Sequence, residues 1–478
     1  MIFVNCILYF CGMHKNNRQL ESIELNIESV AGEGKGLARK DNFVFFIDKG
    51  IPGDKVMARI QKKKKDYALA KIETVLEPSP DRVTPFCSHF GICGGCSWQH
   101  VAYPKQLEYK TFMVREAFRR IGKMELTEIS PILGSEATSG YRNKIEYTFS
   151  NRGWLTDEQI KSGQIFERRA LGFHIPERFE HILHINKCYL QEDQSNTIRL
   201  AVYDFAIRNN MEFYNLKFHE GLLRNLIIRN TTLQEWMVTV CFAKEDDKNI
   251  LLMNFLKENF SFITSLNYLI NNKKNDTIYD REVIHFSGKD HIIEKLGNIQ
   301  YKIGVKSFFQ TNSSQAKRMY DIVKEFGNFQ PDETVYDIYC GTGSIALYIA
   351  DACKKVVGIE QTPEAIDDAK YNAALNHIDH AEFIAGTAES ILDENFIALH
   401  CRPDKIVVDP PRAGLHEKVV QIILQAEPKA IVYVSCNPAT QARDVAMLSE
   451  KYKITRCQPM DLFPHTYHIE NIVLLERI

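Results

Sequence analysis

The sequence predicts a multidomain α/β protein: an OB-like β-barrel first, a central α+β domain next, and a Rossmann-like, doubly wound domain last. Three observations predict it. From about residue 300 onward strands alternate with helices, the pattern of a mostly parallel sheet. Short strands with Gly and Pro punctuation crowd residues 20–77, as in a small closed barrel. Between them, alternation such as Lys144-Ile145-Glu146-Tyr147-Thr148-Phe149 marks antiparallel strands.

Size and composition agree with this division. A chain of 478 residues is too long for one core, and 45% hydrophobic with 25% charged residues is ordinary globular usage. The net charge of −2 means that any nucleic-acid binding rests on local patches, not on a global field. No stretch approaches the roughly 18 apolar residues that span a bilayer, so no membrane partner is expected. The twelve cysteines are unevenly spread and several sit in apolar strands or helices. That is cytosolic usage, in which a close cysteine cluster means metal or catalysis. A cytoplasmic monomer is expected.

Residues 1–19 read as an extension ahead of the first domain. Residues 1–12 are mostly apolar and uncharged but lack the basic start and cleavage site of a signal peptide, and Met13 is an alternative initiator. In the barrel, residues 25–30, 42–47, 55–60 and 68–75 read as strands, with a glycine-rich turn at residues 31–36. The run Lys62-Lys63-Lys64-Lys65 lies between two of those strands. It is either a solvated edge that blocks strand pairing or a phosphate-binding loop.

Glu77-Pro78-Ser79-Pro80-Asp81 reads as a linker into the central domain, residues 80–300. Part of residues 100–130 is expected to pack with the last domain. Residues 226–228 are a short strand candidate, and residues 246–300, polar and Asn/Lys-rich, suggest no role. Cys87, Cys93 and Cys96 supply three thiols within ten residues, with Gly94-Gly95 allowing the backbone to fold tightly around a metal. Spacing alone leaves zinc and an iron–sulfur cluster comparable, and His89 and His100 would permit a mixed zinc site.

In the last domain, residues 301–478, the strand candidates are 334–339, 355–360, 381–385, 405–409, 430–436 and 471–476, with helices at 363–376 and 438–451. Asp337-Ile338-Tyr339-Cys340-Gly341-Thr342-Gly343 follows the first strand and opens a helix, so Gly341 and Gly343 can bring backbone N–H groups close to a nucleotide-like ligand. The second strand ends in Glu360, an acid placed to bind ribose hydroxyls. Asp409-Pro410-Pro411-Arg412 closes the fourth strand and Ser435-Cys436-Asn437-Pro438 the fifth. Ligands of open α/β sheets bind outside such strand ends, so Cys436 is a candidate nucleophile facing the cofactor. His468-Ile469-Glu470, just before the last strand, offers a carboxylate as its partner for proton removal.

Taken in order, these motifs and Phe308-Phe309-Gln310-Thr311-Asn312 resemble those of the RNA uracil-5-methyltransferases. The resemblance runs from about residue 22 to 478 and is closest to the iron–sulfur-containing members that act on large-subunit ribosomal RNA. It implies a TRAM domain at residues 20–77 and a class I domain dependent on S-adenosylmethionine at residues 301–478. It implies Cys436 as the thiolate that adds to uracil C6 and Glu470 as the base. Gln310, Tyr339, Glu360 and Asp409 are assigned to the cofactor pocket. Phe308 matches an aromatic position that could stack on a flipped base, though a core phenylalanine reads equally well. The resemblance further implies a [4Fe–4S] cluster on Cys87, Cys93, Cys96 and the distant Cys188; a structural role is expected for it, because methyl transfer of this kind needs no net electron transfer. Transfer RNA as substrate, or a non-catalytic RNA-binding chaperone, are the alternative functions; intact Cys436 and Glu470 argue against the latter.

Overall fold

The computed structural model describes residues 21–478, so the reading of residues 1–19 as an extension lies outside the described residues. The chain divides into two compact units, Met1–Arg82 and Val83–Ile478.

In the first unit six strands, β1 (Ser22–Asn26), β2 (Ser29–Val30), β3 (Gly36–Lys40), β4 (Phe43–Asp48), β5 (Lys55–Lys63) and β6 (Tyr67–Glu77), hydrogen-bond in the order β1-β5-β6-β4-β3-β2. The period of two is plain in β5, where Val56, Ala58 and Ile60 are buried and Arg59 is exposed. Those residues meet Leu25, Ile27, Phe45, Ile47 and Ala68 in one core. Gly36 passes so close to Gly50 that a Cβ there would lie 2.8 Å from its carbonyl oxygen, which accounts for a glycine at the start of β3. The segment expected to be a linker is tied down by buried Asp54. Its carboxylate accepts the Ser79 N–H at 3.0 Å and two Arg82 N–H groups at 2.7 Å. The four lysines 62–65 are exposed where β5 turns into β6.

The second unit holds two seven-stranded sheets. The first contains β7 (Lys144–Ser150), β8 (Ala170–Ile175), β9 (Arg178–His184), β10 (Leu223–Asn230), β11 (Trp236–Phe242), β12 (Ile263–Ile270) and β13 (Val283–Gly288), in the order β13-β12-β11-β10-β7-β8-β9. Strands β11 and β12 are parallel, with helix Asp247–Asn259 as the crossover between them. Residues 246–300 therefore carry structure that the sequence did not disclose: this crossover, β12, β13 and a hairpin of β14 (Ile292–Leu296) and β15 (Ile299–Ile303). Buried polar residues such as Ser265, Asn267 and Asn271 break up the apolar signal there. The hairpin lies on both sides of residue 300, and its Ile292, Leu296, Tyr301 and Ile303 share a core with the second sheet.

That sheet contains β16 (Thr334–Ile338), β17 (Lys355–Glu360), β18 (Ala381–Ala385), β19 (Lys405–Val408), β20 (Ala430–Ser435), β21 (Tyr452–Met460) and β22 (Glu470–Arg477), in the order β18-β17-β16-β19-β20-β22-β21. Strands β16 to β20 are parallel, and β22 runs antiparallel to both β20 and β21. The sequence reading missed β21, whose Pro459 and scattered polar residues suit an edge strand. Strand order reverses between β16 and β19, which opens a crevice at their carboxyl ends. Helix α1 (Tyr103–Ala117) packs on this sheet, with Val114 and Phe118 buried among Tyr433, Ala442 and Val473. Among the described residues no helix is long and apolar enough to cross a membrane.

Candidate active site

The glycine turn follows β16 directly. Asp337 is fully buried; its Oδ2 accepts the Ala346 N–H at 2.9 Å, while Oδ1 has no partner. Burial, reinforced by the Asp409 carboxylate, pushes its carboxyl up to about 8. Tyr339 has a φ of 70°, a left-handed conformation that strains a non-glycine backbone. Gly341, at φ 54°, has nothing within 4 Å of where a Cβ would be, so its backbone faces open space. Gly343 is pressed from the other side, with the Phe383 ring 2.9 Å from its would-be Cβ. Glu360 closes β17: its Oε2 accepts the Gly341 N–H at 3.3 Å and its Oε1 the Thr362 N–H at 3.0 Å. Asp409 stands at the end of β19, where burial pushes its carboxyl up to about 7. The sequence-predicted turn and both acids thus meet at one crevice.

Strands β20 and β22 bring in the thiol and the carboxylate. Ser435 pairs with Asn471, which places Cys436 and Glu470 across from each other, one step beyond the ladder. Gln441 locks this junction: its Nε2 donates to the Tyr433 and Asn471 carbonyls at 3.0 Å, and its Oε1 accepts from Asn471 Nδ2 at 2.8 Å. Asn437 then caps helix Pro438–Leu448 by accepting the Ala439 N–H at 3.1 Å, with Pro438 in the first turn. The chain must turn away sharply after Cys436, which leaves the sulfur at the strand tip.

The tip gathers three acidic groups, Cys436, Glu470 and Asp409, and two cations, Arg412 and Lys110. Burial, then Glu470 and Asp409, push the Cys436 thiol up to about 11. Arg412 acts the other way, its guanidinium charge favouring the thiolate. Burial and Asp409 hold the Glu470 carboxyl well above the usual carboxylate range, opposed by Arg412 and Lys110. His468 Nδ1 accepts from Arg412 Nη2 at 3.4 Å, and burial lowers its pKa to about 4, so it is neutral. Arg412 and Lys110 escaped the sequence reading as site residues. Arg412 was visible as the end of the Asp409 motif, whereas Lys110 lies in an ordinary helix far upstream.

The segment 308–312 approaches through its backbone. Asn143 Nδ2 donates to the Gln310 carbonyl at 2.9 Å, and Asn143 N–H to that of Thr311 at 2.8 Å. Phe309 is buried, and Phe308 is 65% exposed, which settles it as a surface ring and not a core one. Asn312 caps the helix Ser313–Gly327 and donates to the Leu462 carbonyl at 3.0 Å.

Cys87, Cys93, Cys96 and Cys188 all line one cavity of about 360 Å³, together with His89, Arg142 and Lys144. Burial is the main cause that pushes Cys93 up to about 11 and Cys96 up to about 12, and each of these thiols feels the field of others in the set. Cys188 is held by reciprocal bonds with Asn196: its N–H donates to Oδ1 at 2.8 Å and its carbonyl accepts from Nδ2 at 2.9 Å. Gly94 has no room for a Cβ, which would lie 2.9 Å from the His174 carbonyl oxygen. His89 Nε2 accepts the Asn186 N–H at 3.0 Å. Among the described residues no three His, Cys, Asp or Glu side chains form a ready-made site for a single metal ion.

A doubly wound sheet with a glycine turn, acidic strand ends and a thiol at the crevice defines a nucleotide-cofactor enzyme. The comparisons narrow the class. Residues 225–478 match the family described as tRNA (Uracil-5-)-methyltransferase, and residues 19–72 match the TRAM domain. An uncharacterised RNA methyltransferase of Bacteroides thetaiotaomicron is 51% identical over 94% of this chain and 100% of its own length. Another, from Porphyromonas gingivalis, is 46% identical over 95% and 99%. Among solved structures, a Pyrococcus abyssi tRNA (uracil-54, C5)-methyltransferase in complex with S-adenosyl-L-homocysteine covers 95% of this chain and 100% of its own, with TM-score 0.74 and 28% identity. The chain belongs to the tRNA (uracil-5-)-methyltransferase family, and it is an RNA (uracil-5-)-methyltransferase with an amino-terminal TRAM domain.

Proposed function

We propose that Cys436 attacks C6 of the target uridine, that Glu470 removes the C5 proton, and that S-adenosylmethionine is the methyl donor. The register of β20 and β22, which sets the thiol opposite the carboxyl, carries this reading. Uracil C5 is a poor nucleophile toward a methyl group. Addition of the Cys436 thiolate forms an S–C6 bond and turns the C5=C6 electron pair into an enolate, nucleophilic at C5. The Arg412 charge favours the thiolate needed for that step.

Bound in the crevice, S-adenosylmethionine supplies an electrophilic methyl group. Three carboxyls (Asp337, Glu360 and Asp409) and an unpartnered buried oxygen suit a cationic, hydroxyl-bearing ligand. Glu360 would hold its ribose, the backbone of the Gly341–Gly343 turn its amino-acid end, and Gln310, Tyr339 and Asp409 the rest of the pocket. Once C5 carries the methyl group, Glu470 takes the remaining C5 proton. The C5–H electron pair rebuilds the C5=C6 bond, the S–C6 bond breaks, and the thiolate leaves. A stacked base could not reach the strand tip, so the uridine must be flipped out or already unstacked, with exposed Phe308 as a stacking surface.

We assign the substrate to large-subunit ribosomal RNA and a structural [4Fe–4S] cluster to Cys87, Cys93, Cys96 and Cys188, as the resemblance implies. The shared cavity supports the cluster. A tetrahedral zinc needs four donors each about 2.3 Å from one point, whereas a cluster brings its own irons and sulfides and suits thiols spaced around a cavity. Domain by domain, residues 20–77 bind RNA, residues 80–300 carry the cluster, and residues 301–478 catalyse. Transfer RNA is the second reading, favoured by the likeness to the Pyrococcus abyssi enzyme. Release of tritium from 5-tritiated uridine, dependent on S-adenosylmethionine, tests activity and substrate together. Release from ribosomal but not transfer RNA transcripts is expected. The reverse preference would transfer the assignment, and no release from either would contradict the proposed chemistry.

A further inference from the structure

One buried charge pair in the second unit has no part in the chemistry above. Lys110, in the middle of α1, is fully buried, and so is Asp461, which it meets at 2.6 Å. Removing a lysine and an aspartate from water carries a desolvation cost that can exceed their attraction, so a pair of this kind is weak evidence for stability as such and calls for another reason. Its position supplies one. Asp461 opens the loop that runs from β21 to Glu470, the first residue of β22. Its carboxylate also accepts from Tyr103 OH at 3.0 Å and from the Phe463 N–H at 2.9 Å. Lys110 donates to the Phe463 carbonyl as well, at 3.2 Å. One turn earlier on α1, Gln106 Oε1 accepts the His465 N–H at 2.9 Å. Lys110 is also one of two cations whose field reaches the Glu470 carboxyl.

We propose that Lys110, through Asp461, is a positioning residue for Glu470: the pair fixes the 461–469 loop so that the carboxylate meets the C5 proton of the adduct. This rests on the reading of Glu470 as base and Cys436 as nucleophile. A misplacement of about 1 Å can cost roughly 100-fold in a proton transfer while leaving binding alone. Loss of the pair should therefore slow the elimination step and spare the addition step.

The test compares the wild type with Lys110→Met and with Lys110→Met/Asp461→Asn, the second variant avoiding an unpaired buried carboxylate. Each is mixed with S-adenosylmethionine and uridine RNA, and covalent protein–RNA adduct and tritium release are followed in one time course. The expected result is adduct that accumulates as a denaturation-resistant species, release slowed by roughly 10- to 100-fold, and a KM for RNA that falls together with kcat because the adduct accumulates. Release at the wild-type rate in the double variant would overturn the inference, as would adduct formation and release falling together. Failure of the wild type to form adduct with 5-fluorouridine RNA would instead remove the reading beneath it.

Discussion

Cys436 and Glu470 lie across from each other one residue beyond the Ser435–Asn471 pair that ends the β20–β22 ladder. Burial raises the pKa of both groups, the Glu470 carboxyl further raises that of the thiol, and Arg412 is the cation that opposes both shifts. On the proposed chemistry, these two groups act in turn at neighbouring carbons of one ring. The relationship therefore ties the topology of the sheet, an antiparallel strand added to a parallel one, to the order of chemical steps.

The base should be separable from the nucleophile. Glu470→Gln keeps the shape but not the proton acceptor, so RNA adduct should accumulate while tritium release falls by roughly 10²- to 10⁴-fold. Gel analysis of the denatured mixture measures the first and scintillation counting the second; unchanged release would exclude Glu470 as base.

The thiol should be slow to alkylate in the free protein. With its pKa pushed up to about 11, Cys436 is almost entirely protonated at neutral pH, and its reaction with iodoacetamide should rise about tenfold per pH unit below that value. Asp409→Asn removes one anion that raises the pKa and should speed alkylation at pH 8. Peptide mass spectrometry follows the site, and a rate that is flat with pH would contradict the burial argument.

Asp337 should make the cofactor-free protein sensitive to pH in a defined direction. Its folded pKa of about 8 lies above the ordinary 3.8, so between those values the folded state holds a proton that the unfolded chain has lost. The contribution of this group to stability therefore falls as pH rises through that window. Asp337→Asn should gain on the wild type in urea midpoint between pH 5 and pH 8. A constant difference across that range would show that the carboxyl ionises normally.

The lysine run should act through phosphate. Changing Lys62, Lys63, Lys64 and Lys65 to Gln should weaken RNA binding and reduce the salt slope by about one for each phosphate no longer neutralised. Binding isotherms at several salt concentrations decide it, and an unchanged slope would leave the run as a solvated edge.

Cys188→Ser should empty the cysteine site. Anaerobically purified wild-type protein should be brown with about four irons, and the variant nearly colourless. Stoichiometric zinc in a colourless wild type would refute the cluster.

Much of the parallel sheet was legible because its strands are continuous apolar runs between glycine and proline signals. The expected 355–360 and 381–385 strands coincide with β17 and β18. Strand β21 was hidden because an edge strand needs no apolar run, and β12 because Ser265 and Asn267 are buried within it. At the site, short motifs at strand ends revealed Asp337, Glu360, Asp409 and Cys436. Lys110 stayed invisible, since its partner Asp461 is some 350 positions away and only the fold brings them together.

The most direct measurement is the mass spectrum of protein incubated with 5-fluorouridine RNA and S-adenosylmethionine, digested with protease and nuclease. Fluorine at C5 blocks the proton removal, so the adduct should persist. A methylated fluorouridine mass on the peptide containing Cys436, absent from Cys436→Ala, is the predicted result. An adduct on any other residue, or none while uridine RNA is still methylated, would contradict covalent catalysis by Cys436.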